Sequence, residues 1–352
     1  MSDKQDTENA EVFQTESRVE QPPVPAAAPK KKGFLAHLKR FWWAYLLVLI
    51  CGVVLAVCLT IFVGVPKIAQ QKVNDAKLEI QGVNVINTKP NSFTLQINST
   101  ITTDGSIKAN IDAFDGVMYL EDLPGQTPFL NISFPATNGD KHQLVNISQD
   151  ITIEDHDAFN TFNIWFAANQ TLNVTVYGRT KVKPAGLSKK FDVTFKKTIN
   201  MNGLNLFNGT TVSDGKIDIT AKKGQPNFKA SADIPNASYF TLEIGNATFT
   251  NFIDNTNIGN LTIPNLLLVP GSNKVPITAD LDQVAVLEQV QTPKYCKTGI
   301  IPVKLRGAAI VNDGQTLQYF LDGLSANNET VPMDIGSIIK NSLGTTVSCA
   351  KS

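Results

Sequence analysis

The sequence predicts a mainly β protein tied to a membrane by one N-terminal helix, with two tandem antiparallel β-sandwich modules after it. Three observations carry that prediction. Phe41 to Val65 is an unbroken apolar run without a charge. After residue 77 the apolar residues recur at every second position instead of the helical period. Gly, Pro and Asn punctuate these short alternating stretches, and helical patterns are scarce.

The N-terminal elements follow from composition. Residues 1–29 carry six acids against two bases and are broken by Pro22, Pro23, Pro25 and Pro29. Too little apolar surface is present to fold alone, so 1–40 is expected to be a disordered cytosolic tail for sorting or docking. Lys30-Lys31-Lys32, Lys39 and Arg40 precede the span 41–65, and Trp42, Trp43 and Tyr45 stand at its start as interfacial anchors. At ~1.5 Å per residue its 25 residues make a helix of roughly 37 Å, enough to cross a bilayer with some tilt. The run starts too deep and is too long for a cleaved signal peptide, so a type II signal-anchor is expected. Residues 66–77 read as a short helical stalk.

Ten N-glycosylation sequons all lie after the span, at Asn98, Asn131, Asn146, Asn169, Asn173, Asn208, Asn236, Asn246, Asn260 and Asn328. That is about twice what chance placement of the asparagines would give, and the residues before the span have none. At Asn98, Asn131, Asn146, Asn173 and Asn260 the flanking residues are apolar, putting the asparagine on the outward beat of a strand. A glycosylated, extracytosolic body is the expectation. In such a compartment Cys296 and Cys349, the only two cysteines after the span, are expected to form a disulfide. Cys51 and Cys58 lie within the span as small apolar residues, with lipid modification the alternative.

Phe93, Leu95, Ile97 and Ile101 alternate up to Thr102-Thr103-Asp104-Gly105, and Ile107, Ala109, Ile111 and Ala113 resume after it, which predicts a hairpin. Asp-Gly recurs at 115–116, 214–215, 313–314 and 322–323 as further turn signals. Strands are expected at Leu172/Val174/Val176, Phe191/Val193/Phe195, Phe228–Ile234, Phe240/Leu242/Ile244, Val275–Leu281 and Ile301/Val303/Leu305. An internal repeat is visible: 92–101 parallels 227–236, and Phe162–Thr171 parallels Phe320–Glu329. The division falls near Met201–Asn205, giving modules at 78–200 and 201–352 of ordinary domain size.

The segments PheThrLeuGluIleGlyAsnAlaThrPhe and IleGlyAsnLeuThrIleProAsnLeuLeuLeuValProGlySerAsn resemble the late-embryogenesis-abundant type 2 (water-stress/hypersensitive) sandwich, an immunoglobulin-like architecture. Over roughly residues 35–349 the chain resembles a fungal family of unknown function with one N-terminal span and tandem sandwiches of this kind. The resemblance implies residence in the vacuolar membrane, with the body in the lumen, and a part in autophagy regulation. Its motifs are loose strand patterns and imply no site residue. Plasma membrane and Golgi are the alternative locations.

Little in the chain points to catalysis. Histidine occurs only at 37, 142 and 156, and HExxH, GxSxG, a Gly-rich phosphate loop and paired CxxC are all absent. Asp155-His156-Asp157 and Asp280-Leu281-Asp282 could hold a divalent ion in a luminal glycosyltransferase, but such enzymes alternate β and α units, and solvated strand-end acids are the expectation. Arg179, Lys181, Lys183, Lys189, Lys190, Lys196 and Lys197 make one basic stretch, read as a solvated strand face or as a patch toward anionic lipid or an acidic partner. No concentrated positive surface suits nucleic acid. The expected protein has no catalytic, cofactor or metal site and is no enzyme. It acts as a luminal binding or regulatory module whose partners are the bilayer, through one span, and a luminal protein or lipid; a lipid-handling sandwich is the alternative.

Overall fold

The computed structural model describes residues 33–222 and 224–350; most of the expected tail, with Lys30-Lys31-Lys32, lies outside them. Two compact units divide between Leu59 and Thr60. The first is α1 (Gly33–Leu59), which begins before the apolar run and is kinked at Phe41, where φ −117° and ψ 18° leave the helical region. One helix, Phe41–Asp75, is long and apolar enough to cross a membrane.

The second unit starts with a wide turn, Thr60–Gly64, and α2 (Val65–Asp75). Pro66 sits in the first turn of α2, where its missing N–H is tolerated. The first half continues as β1 (Lys77–Lys89), β2 (Ser92–Thr102), β3 (Ala109–Ile111), β4 (Phe114–Leu120) and β5 (Pro128–Phe134). After β6 (Thr137–Asn138) and β7 (His142–Thr152) come α3 (His156–Ala168), β8 (Thr171–Pro184) and β9 (Phe191–Asn202). The second half holds β10 (Thr211–Ile217), β11 (Phe228–Asn236), β12 (Phe240–Ile253), β13 (Thr256–Leu268) and β14 (Gly271–Leu281). It ends with α4 (Gln283–Val290), β15 (Ile300–Asn312), β16 (Gln315–Thr316), α5 (Gln318–Ser325), β17 (Glu329–Asp334) and α6 (Ile335–Leu343).

The fold is mainly β, with the sheets arranged as sandwiches. In the first half β1, β2 and β7 face the sheet β5-β4-β8-β3-β6, in which β9 also pairs with β8. Phe93, Leu95 and Ile97 of β2 are buried with Phe129, Leu172 and Val174 from the opposite sheet, as the alternation predicts. In the second half the sheet β10-β11-β14-β13-β12 continues through β15, which pairs with β12, to β17, with Phe228, Ile234, Leu242 and Ile244 inside. Beyond Ile244 the inward beat changes from even to odd positions, to Ala247, Phe249 and Ile253. Gly245 makes the change: its φ of +82° forms a bulge, and a Cβ there would meet Val311 O at 2.7 Å.

The expected hairpin around Asp104-Gly105 is not formed. β2 is flanked by β1 and β7, so its two edges are taken, and residues 109–111 pair with β6 and β8 in the other sheet. Asp313-Gly314 does make a tight turn between β15 and β16, with both φ values positive. Asp214-Gly215 is instead a bulge inside β10, Asp115-Gly116 lies within β4, and Asp322-Gly323 lies within α5.

The two halves meet directly. β1 and β12 pair in parallel at Val83–Val85 and Phe240–Leu242, and one apolar core runs from Val83 to Leu324 across residues 201–205. The repeat-related segments both contain helix, and those helices, α3 and α5, pack on each other. Asn160 Nδ2 donates to Asp322 Oδ2 at 2.7 Å, and Phe159 meets Tyr319 edge-on at 5.3 Å between centroids. Gly323 permits the approach, because a Cβ there would lie 3.1 Å from Asn163 O.

Candidate binding site

α2 is the element that positions the site, since it docks on β9 at the edge of the first half. Gln70 replaces a strand neighbour for β9: its Nε2 donates to Thr194 O at 2.8 Å, and Thr194 N–H donates back to its Oε1 at 2.8 Å. Lys197 Nζ donates to Asn74 O at 2.6 Å, capping the end of the helix, where a cation is favoured. Partial burial pulls that ammonium's pKa down. Lys72 pairs with Asp104, and this hydrogen bond, helped by Ser106, holds the exposed Asp104 carboxyl down at about 2. Ala69, Val182 and Val193 make the small apolar core beneath α2.

Beside these contacts α2 leaves a cavity of about 290 Å³. Val65, Ile68, Ile107, Pro184 and Leu187 line it, together with Val73, Ile101, Ile111 and Phe195. The lining is predominantly apolar, with Lys72, Asp75, Thr103, Asp104, Thr137, Asn138 and Gln143 as its polar members. It follows α2 from Val65 to Ala76, and Val65 is the last residue of the apolar run. A cavity of that size, walled by aliphatic side chains with a few polar groups, suits an apolar ligand.

The sandwich interiors are far better filled, with cavities of about 60 Å³ in the first half and about 80 Å³ in the second. The second contains an unexpected polar pair. Asn251, Leu305 and Glu329 are directly paired across β12, β15 and β17, so all three point the same way. Asn251 and Glu329 line the cavity at 2% and 6% exposure, and the Asn251 Oδ1 has no hydrogen-bond partner. Desolvation pushes the Glu329 carboxyl up to about 8. A sequence signal existed: Glu329 precedes Val331 and Met333 on the inward beat.

The residues singled out from sequence are dispersed. Cys296 and Cys349 are bonded, with Cα atoms 5.1 Å apart, tying the segment after α4 to the C-terminal region. Asn98, Asn131, Asn146, Asn208, Asn246, Asn260 and Asn328 are exposed, while Asn169 and Asn173 are half-buried. Asn236 stands apart at 2% exposure. Its Nδ2 donates to Phe240 O at 2.8 Å, and its Oδ1 accepts from Ser238 N–H at 3.0 Å. A glycan on that nitrogen would displace the bond to Phe240.

Asp155 and Asp282 are helix caps. Asp155 accepts from Ala158 N–H at 2.9 Å at the start of α3, and Asp282 from Ala285 N–H at 3.0 Å at the start of α4. Asp155 and Asp157 border a separate pocket of about 290 Å³ with Thr127 and Thr161, and neither Asp280 nor Asp282 reaches it. Among the described residues no group of three or more His, Cys, Asp or Glu is placed to hold a metal ion. The basic stretch divides between β8, β9 and their connecting loop. Lys190 pairs with Asp112 at 2.6 Å and Lys196 with Glu121 at 3.8 Å.

Comparison with known proteins adds one family. Residues 127–251, from just before β5 into β12, match a family described as a protein of unknown function (DUF3712). No curated protein matches the chain. A solved bacterial adhesin from Mobiluncus mulieris, containing intramolecular disulfide, isopeptide and ester bond cross-links, aligns with 73% of this chain and 96% of its own. With 13% identity and a TM-score of 0.19, that alignment bears on neither fold nor activity. The chain is therefore similar, over its central third, to a family of unknown function.

Proposed function

We propose that this is a non-enzymatic, single-pass binding protein whose cavity beside α2 takes the acyl chain of a membrane lipid. One observation carries the reading: the largest apolar cavity described above includes Val65, the last residue of the apolar run. A chain leaving the bilayer there passes onto Ile68, Ile107 and Leu187 without crossing a wide polar surface. The transfer of each buried CH2 from water is worth about 0.8 kcal/mol, which gives such a site affinity for acyl chains without any catalytic group.

The wider setting belongs to the same proposal. The sequons after the span favour type II topology with the body outside the cytosol, and the Cys296–Cys349 bond suits an oxidising compartment. The resemblance to vacuolar-membrane sandwich proteins favours the vacuolar lumen and a regulatory role connected with autophagy. A carboxyl raised to about 8 stays neutral in an acidic lumen, which agrees with that location.

Native mass spectrometry of the full chain, released from phosphatidylcholine nanodiscs, tests the reading. The expected result is one retained phospholipid, lost in Val73→Trp, which fills the cavity, and kept in Leu144→Ala on an exposed strand face. Equal retention by all three proteins would overturn the proposal.

A further inference from the structure

The surface around Phe62 and α2 carries a second feature, one of charge. The Nζ of Lys189 lies 4.0 Å from the ring centroid of Phe62, and Phe62 belongs to the apolar run 41–65. The β8–β9 loop therefore lies beside Phe62, near the C-terminal end of the apolar run in sequence. The loop between β2 and β3 is beside it, since Ala185 N–H donates to Lys108 O at 2.8 Å. Lys67, Lys108, Lys183 and Lys189 are all exposed here. Among the described residues none of the four is paired with a carboxylate, unlike Lys72, Lys190, Lys196 and Lys294. Ile68 and Ile107 are exposed among them, at 46% and 36%. No sequon falls within 60–68, 103–109 or 183–190, so no glycan would screen this face.

Unpaired ammonium groups around exposed aliphatic side chains, next to a helix that enters a bilayer, match the chemistry of a lipid surface. Lys stems lie along apolar material while the charge reaches the phosphate layer. Each lysine near an anionic surface is attracted to it, and the attraction fades within a Debye length. We propose that Lys67, Lys108, Lys183 and Lys189 form a membrane-contact surface that binds the phosphate groups of anionic phospholipids in the leaflet on the body's side. The contact holds the β8–β9 and β2–β3 loops against the bilayer. It needs no acyl chain in the cavity, so it stands or falls separately from the lipid-binding reading.

Hydrogen exchange on the full chain in nanodiscs tests it, with phosphatidylcholine alone compared with phosphatidylcholine containing phosphatidylserine. Amides of 103–109 and 185–190 are expected to exchange more slowly in the anionic discs, by about fivefold for each lysine engaged. High salt should remove the difference, and so should the exposed-site variant K108Q/K183Q/K189Q. Phe62→Ala, which leaves every charge in place but removes the ring beneath Lys189, should weaken it. Equal exchange in the two kinds of disc would overturn the proposal. So would protection that inorganic phosphate reproduces in neutral discs, which would identify a free-phosphate site instead of a membrane contact.

Discussion

The cavity beside α2 and the cavity inside the second sandwich have similar aliphatic walls and opposite designs. The first holds about 290 Å³ and includes Val65, the last residue of the apolar run, with a few polar residues in its lining. The second holds about 80 Å³ and faces a carboxyl and an amide row, Glu329 and Asn251, into an otherwise apolar interior. Apolar lining alone therefore does not mark a ligand site. What separates the two is a lining that begins within the apolar run at Val65 in one case and a buried ionisable group in the other. On the proposed reading the first takes a lipid chain, whereas in the second burial raises the Glu329 carboxyl.

The largest effect that sharpens this contrast is on stability against pH. Burial raises the Glu329 pKa in the folded state to about 8 from an ordinary 4.5. A raised carboxyl contributes fully below its unfolded value, and that contribution is lost as pH rises through the folded value. Ionising so buried a group costs about 5 kcal/mol at the alkaline limit, at roughly 1.4 kcal/mol per pKa unit. Thermal unfolding should therefore show a midpoint that falls between pH 5 and pH 9 in the native chain and stays much flatter in Glu329→Gln. Lipid retention beside α2 should be the same in both.

Breaking the disulfide comes next. Cys349→Ser opens a loop of 53 residues, and the loop-closure entropy gives about 4 kcal/mol of lost stability. Urea unfolding should show that loss. Hydrogen exchange should place the loosening in α4 and α6, leaving α2 protected.

Deleting side-chain volume separates the cavities further. Leu305→Ala enlarges the inner one and should cost about 2–5 kcal/mol, reduced toward the low end by the residue's partial exposure, again with lipid retention intact. The smallest stability change is expected at the outer cavity. Val73→Trp occupies existing space and should move the midpoint by less than about 1 kcal/mol while abolishing retention. A large loss of stability there would mean that the space is closed in solution.

Much of the architecture was legible in the residues, because burial on one face of a strand writes itself as alternation. Phe93, Leu95 and Ile97 point inward as their spacing requires, and so do Leu172, Val174 and Val176. The reading fails where a single backbone feature changes the phase or the partner. Gly245 turns the inward beat of β12 over within one residue, and nothing around Asp104-Gly105 reveals that both edges of β2 are occupied. The parallel pairing of β1 with β12 spans only three residue pairs far apart in sequence, too few to leave a periodic trace.

The candidate site was less legible than the fold. Residues 66–77 read as a stalk, and the structure docks α2 (Val65–Asp75) on β9 through Gln70, a polar residue with no pattern of its own. A cavity is made by what several distant segments fail to fill, here α2, the β2–β3 loop and the β8–β9 loop, so no local spacing encodes it. Asn236 shows the converse: it matches a sequon, yet its side chain closes a buried turn with Ser238 and Phe240.

The central claim is that the space beside α2 holds a lipid chain, and crosslink mapping addresses it most directly. The full chain would be placed in nanodiscs containing phosphatidylcholine with a photoactivatable acyl terminus, illuminated and digested. The account predicts adducts on peptides containing Val73, Ile101, Ile111 or Phe195, beyond the end of the apolar run, and their loss in Val73→Trp. Adducts confined to residues 41–65, with those four positions unlabelled, would contradict it.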